Sequence, residues 1–176
     1  MFAKILPTLE RTPGVLRALL AGLPDAAVRG NYGTGTWSAY EVVGHLIIGE
    51  RLDWIPRAKI ILEHGTSRAF EPFPHDATIK PESGRSLASL LDEFELLRLE
   101  SLRALAAMRL HDADLDRRGL HPALGEVTLG QLLTTCAAHD LHHIRQACLS
   151  LAWSMRDDVG PWRAYINTFD RSGHSR

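Results

Sequence analysis

Two histidines, His139 and His143, stand four residues apart in the run Ala138-His139-Asp140-Leu141-His142-His143, inside an amphipathic helical pattern. At that spacing both imidazoles leave one face of the helix, one turn apart, which is metal-ligand spacing. His45, in a second helical run from Val42 to Glu50, is a third candidate ligand that joins the pair if the two helices pack together. Three neutral nitrogen ligands leave coordination positions open, as catalytic metal sites do. The plain alternative is a set of histidines satisfied by ordinary core or surface hydrogen bonds, and nine histidines in the chain make some coincidence expected.

The neighbours divide in the same way. Glu41, one turn before His45, is placed to accept its second ring proton and fix its tautomer. Glu50 reads as a solvated or ion-paired carboxylate rather than a ligand, although a metal shell closed by it or by another side chain would favour a structural role. His142 sits about 100° around the helix from His143 and is outside the ligand set. His64, His75, His111, His121 and His174 fall at helix ends, in loops or in the tail, where solvation is the expectation. Arg51 and Arg145 are candidate binders of a carboxylate or exposed helix arginines. Trp37, Tyr40, Trp54 and Trp162 read as core or as pocket walls.

Helices must position these groups. The first runs from Thr8 to Ala21, with Leu9, Leu16, Leu19, Leu20 and Leu23 as its stripe. A glycine-rich loop, 30–36, follows; it lacks a preceding strand and phosphate-loop spacing. A second helix opens at Ser38, capped reciprocally by Glu41, and continues to His64 with a bend near Pro56. Residues 65–84 carry three prolines and suit a crossover or a pocket rim. The third helix, 86–110, turns Leu87, Leu90, Leu91, Phe94, Leu97, Leu102 and Leu105 inward and Asp92, Glu93, Arg98, Glu100 and Arg103 outward. Thr128 and Gln131 form a second capping box that starts the fourth helix, to Ser150. Its stripe of Leu129, Leu132, Cys136, His139, His143, Gln146 and Ser150 turns polar in the middle. A short last helix spans 161–169, and no Asn-Gly or Asp-Gly turn signals a hairpin.

With 176 residues, 45% hydrophobic and 23% charged, the chain fits a single domain over residues 1–176. Twenty basic against twenty-one acidic residues, without runs of either sign, give nucleic acid and anionic membranes no electrostatic support. The N-terminus lacks the pattern of a secretory signal, and a cytoplasmic location is expected. Cys136 and Cys148 lie in one predicted helix about 18 Å apart, too far for a mutual disulfide, and read as reduced thiols.

The chain resembles the DinB-like superfamily of metal-binding four-helix bundles, which includes bacillithiol transferases and relatives of mycothiol-dependent maleylpyruvate isomerase. The residues that carry the resemblance are Thr36-Trp37-Ser38 leading to Glu41 and His45, the run from Thr128 to Leu133 leading to His139 and His143, and Gly160-Pro161-Trp162. It implies an all-α four-helix bundle with a crossover connection and a short C-terminal helix. It also implies His45, His139 and His143 as ligands of a divalent ion, zinc or nickel, and a homodimer. Its first functional implication is thiol-dependent transfer, with a low-molecular-weight thiol cosubstrate attacking a small-molecule substrate. The alternatives are metal-dependent hydrolysis and a non-catalytic metal-binding stress-response dimer.

Overall fold

The computed structural model of the chain describes residues 2–166. Six helices and one hairpin follow in order: α1 (Phe2–Leu20), α2 (Asp25–Arg29), α3 (Ala39–Leu52), α4 (Trp54–His64), α5 (Leu87–Ala107), β1 (Arg118–His121), β2 (Gly125–Thr128) and α6 (Leu129–Ser154). Short 3-10 turns fill the connections at Gly65–Ser67, Pro81–Ser83 and Asp112–Asp116 and follow α6 at Gly160–Tyr165. The last of these replaces the C-terminal helix expected over 161–169, of which residues 167–169 lie outside the described residues, as does His174. No helix among the described residues is long and apolar enough to cross a membrane.

α1, the broken rod α3–α4, α5 and α6 form a four-helix bundle, in which α1 and α3 each pack against both α5 and α6. Helix direction follows from cross-bundle bonds. Arg17, near the end of α1, pairs with Asp92 and Glu95 near the start of α5 at 2.8 and 2.9 Å, whereas Leu9, earlier in α1, meets Arg98 further along; the two helices are antiparallel. Tyr40 bonds the Arg85 carbonyl and Glu50 pairs with Arg98, so α3 and α5 run parallel. A parallel pair forces the chain to return the length of the rod, and the segment between α4 and α5 does so.

Local chemistry sets the boundaries. Both capping boxes form: Ser38 with Glu41, and Thr128 with Gln131. The bend expected near Pro56 is a break at Asp53, because a proline ring clashes with the carbonyl four residues earlier and supplies no N–H to it. α1 starts six residues before the expected Thr8 and passes through Pro7 and Pro13. The hairpin was not anticipated from a two-residue turn. It uses the three-residue loop 122–124 with Gly125 at φ +75°, and His121 Nδ1 accepts the backbone N–H of Ala123 and Leu124 at 3.1 Å each.

Two apolar clusters occupy the ends of the bundle. One gathers Leu16, Leu20, Val43, Ile47, Phe94 and Leu151; the other gathers Leu9, Trp54, Ile61, Leu129, Leu133 and Cys136. Between them lies a polar layer. Cys136 is buried, whereas Cys148 is exposed.

Candidate metal centre

The three histidines predicted as ligands meet in that layer. His45 comes from α3 and His139 and His143 from α6, and one nitrogen of each lies within 4.8 Å of the others. His139 Nε2 is 3.3 Å from His45 Nε2 and 2.9 Å from His143 Nε2. Tetrahedral ligands at about 2.0–2.1 Å from a zinc ion stand about 3.3 Å apart, so the triangle needs little adjustment to close on an ion.

Outer hydrogen bonds turn two of the lone pairs inward. His45 Nδ1–H donates to the Ala77 carbonyl at 2.7 Å, and His143 Nδ1–H donates to Gln146 Oε1 at 2.6 Å. Each ring then presents an unprotonated Nε2 to the centre, where a single Nε2–H on His139 can satisfy only one of them. His139 Nδ1 is buried with no partner. A cation accepts all three lone pairs at once, and the donor set fits zinc, nickel or a similar divalent ion.

Electrostatics keep the rings neutral. Burial, and then the proximity of His143 and His45, push the pKa of His139 down to about 2; burial and His45 push that of His143 down to about 3. His45 is lowered chiefly by burial. The unfolded chain titrates near 6.5 and so binds protons that the folded metal-free chain refuses; stability must fall as the pH drops from about 6.5 towards about 3. The expected slope is about 1.4 kcal/mol per pH unit for each histidine kept neutral. Urea unfolding of chelator-treated protein at pH 7.5, 5.5 and 4.5 measures it, and a flat profile would contradict neutral buried rings.

The segment that returns between α4 and α5 supplies part of the site, as one of its two expected uses. It crosses α3 at Gly44, where an added Cβ would lie 2.6 Å from the Ile79 backbone nitrogen. That close approach brings the Ala77 carbonyl to His45. Glu41 does not hold His45, contrary to expectation: its carboxylate is taken by the Ser38 backbone and hydroxyl and by Lys80. Trp37 stacks beside the triad, 4.5 Å from His45 and 5.8 Å from His143 between ring centroids.

Behind the histidines is a buried ion network that the sequence reading placed outside the core. Arg98 is 2% exposed, not outward. Its guanidinium grips Asp140 through two bonds of 2.5 and 2.9 Å, and its Nε and Nη2 reach Glu50 Oε1 at 3.0 and 2.7 Å. Nη1 also donates to the Leu9 carbonyl at 3.2 Å, the acceptor that Pro13 cannot serve four residues on. Glu50 is thus ion-paired as expected and turned to Arg98, outside the histidine group. The stripe signal was present, since Arg98 follows Phe94 by four residues and precedes Leu105 by seven.

On the opposite side, His45 and His139 face a cavity of about 240 Å³. Trp54, Phe70, Phe73, Val127 and Leu132 form apolar walls. Asp53 and Arg57 lie at its lining as a buried ion pair of 2.7 Å, in which Asp53 Oδ1 makes no hydrogen bond. Burial pushes the Asp53 carboxyl up, and Arg57 pulls it back in part. His75, exposed as expected, and the half-buried His121 line the same cavity. Sequence reasoning missed Asp53 and Arg57, whose i, i+4 spacing across a proline break was the available signal. Arg51 pairs with Glu93 on the surface instead of facing the cavity, and Arg145 is also outside it. Trp162 is exposed and Tyr40 is fully buried.

The sequence profile of the DinB superfamily matches residues 8–147. Among solved structures the chain is similar to YfiT from Bacillus subtilis, described as a probable metal-dependent hydrolase with an unusual four-helix bundle topology. The identity is 24%, the TM-score is 0.73, and the match covers 89% of this chain and 87% of that one. It is also similar to TT2238, a four-helix bundle protein, at 21% identity and a TM-score of 0.55, over 82% of this chain and 96% of that one. No curated protein matches.

Proposed function

The chain belongs to the DinB superfamily, and from that premise we propose that it is a divalent-metal-dependent hydrolase of a small-molecule substrate, with His45, His139 and His143 as the ligands. The observation that carries the reading is the opening of the histidine group onto a cavity that also holds a buried carboxylate, Asp53. A divalent ion held there by three neutral nitrogens supplies Lewis acidity and a lowered pKa for water. The protein's own part is proton handling: Asp53 takes a proton from the attacking water as its oxygen bonds to the substrate carbonyl carbon. The same proton passes to the leaving group as the scissile bond breaks. A carboxyl raised by desolvation is a stronger base than one in water, and Arg57 holds it in place. The description of YfiT as a probable metal-dependent hydrolase supports the same reaction class.

Thiol-dependent transfer is the second reading, because the same open face suits a thiolate nucleophile. The two separate on the nucleophile required. Zinc- or nickel-loaded chain is assayed for release of nitrophenol from 4-nitrophenyl esters, with and without a low-molecular-weight thiol. Chelator-sensitive turnover without thiol is expected, and Asp53→Asn should reduce it by about 10²–10⁴-fold with metal stoichiometry unchanged. Turnover only with thiol would move the assignment to transfer. A structural metal role requires a closed shell, and Glu50, the candidate named to close it, is occupied by Arg98, which favours the open site without excluding another side chain.

A further inference from the structure

We propose that the cavity beside the histidines is built for a small uncharged molecule with a monocyclic apolar body and a carbonyl oxygen, and that it discriminates against the corresponding anions. The inference rests on the hydrolase reading and names its substrate class.

Size sets the body. An apolar cavity of about 150 Å³ accommodates benzene, so about 240 Å³ leaves room for one ring and a short polar substituent. Trp54, Phe70, Phe73, Val127 and Leu132 supply faces and edges for such a ring.

Charge sets the class. Among the described residues Arg57 is the arginine that lines the cavity, and its charge is already offset by Asp53. Nη1 is paired with Asp53 at 2.7 Å, Nη2 donates to the Glu71 carbonyl at 3.2 Å, and the guanidinium carbon lies 5.2 Å from the Phe70 ring centroid. A carboxylate entering this space would leave water, meet Asp53, and find the one cation beside it already paired with that carboxylate.

A neutral donor remains for an uncharged oxygen. His121 Nδ1 accepts two backbone N–H groups of the hairpin loop, so its proton sits on Nε2, and the residue is part of the cavity lining. Burial, Arg57 and His75 all hold this ring below the ordinary histidine range and so keep it neutral. Hydrogen bonding to a carbonyl or amide oxygen is within its chemistry; ion pairing with a carboxylate is not.

The test is calorimetric titration of phenylacetamide, phenylacetate and acetamide into the full chain, metal-loaded and metal-free, at pH 7.5. The metal-free arm removes direct anion–metal binding from the comparison. Phenylacetamide is expected to bind saturably in both forms, with phenylacetate and acetamide weaker by about tenfold or more in the metal-free chain. Phe73→Ala and, at the exposed loop tip, Leu124→Asp should each weaken phenylacetamide by about tenfold with helical circular dichroism unchanged. Equal or tighter binding of phenylacetate to the metal-free chain, no saturable binding of phenylacetamide, or indifference to both substitutions overturns the proposal. Binding and turnover are read separately: a chain that binds as described yet hydrolyses nothing fails the hydrolase reading alone, and a hydrolase without this preference fails the present one alone.

Discussion

His139→Ala is expected to abolish divalent-metal retention, from near one ion per chain to near none after desalting, while the helical circular dichroism persists. The effect should exceed that at His45 or His143, because His139 Nε2 is the nitrogen that lies between the other two, 3.3 and 2.9 Å away. Gln146→Ala provides the graded comparison. It removes only the acceptor that orients His143, and the loss of such an outer partner costs about 10–100-fold in metal affinity. Elemental analysis against protein concentration reads the first variant, and competition with a chromogenic chelator reads the second. Stability separates the metal reading from an ordinary core histidine. In the metal-free chain His139 Nδ1 is already a buried atom without a partner, a state that costs about 1–3 kcal/mol, so its removal should destabilise that form little. The large change should be the disappearance of the metal-induced rise in melting temperature, which for an ion at about a thousand times its dissociation constant corresponds to about 4.1 kcal/mol. Full metal retention in His139→Ala would refute the ligand assignment.

Much of this centre was legible before folding because its parts are local. The four-residue spacing of His139 and His143 fixes two rings on one helical face, and the capping boxes at Ser38 and Thr128 fix where the two helices begin. What brings His45 to them is not local. The meeting depends on α3 packing on α6, and its outer partner Ala77 lies 32 residues away on a strap admitted by the missing side chain of Gly44. The same limit hid the cavity. Its wall includes Val127 of a hairpin whose turn lacks the two-residue signature, and Asp53 and Arg57 are ordinary surface residue types until Phe70 and the hairpin cover them. Arg98 is a different failure. It sits in the inward register of its helix, but a long cation is ordinarily solvated, and that general preference of the residue type points outward where the position points inward. A charged residue on an apolar stripe implies buried partners, here Glu50 on α3 and Asp140 next to the metal-ligand candidate.

Those partners give Arg98 the largest stability effect expected in the molecule. Arg98→Met should destabilise the fold by about 3–5 kcal/mol, the usual cost of leaving buried charge without its partner. Two carboxylates depend on this guanidinium: Asp140 at 0% and Glu50 at 5% exposure, with Glu50 Oε2 already lacking a hydrogen bond. The Leu9 carbonyl would lose its donor as well, and Pro13 has no N–H to replace it. The magnitude reflects stranded groups rather than net attraction, since burying the arginine and both acids was itself costly. A triple variant, Glu50→Gln with Arg98→Met and Asp140→Asn, removes all three charges and should therefore recover a large part of the loss. Urea unfolding at pH 7.5 compares the three proteins; a triple variant no more stable than Arg98→Met would show that the guanidinium acts through packing against Phe94 and its neighbours instead. Because Asp140 follows His139 directly on α6, metal affinity of the triple variant is a second reading. If the network does no more than neutralise buried charge, affinity should stay close to that of the unaltered chain; if it also holds the register of α6 against α3 and α5, affinity should fall even where stability has been restored.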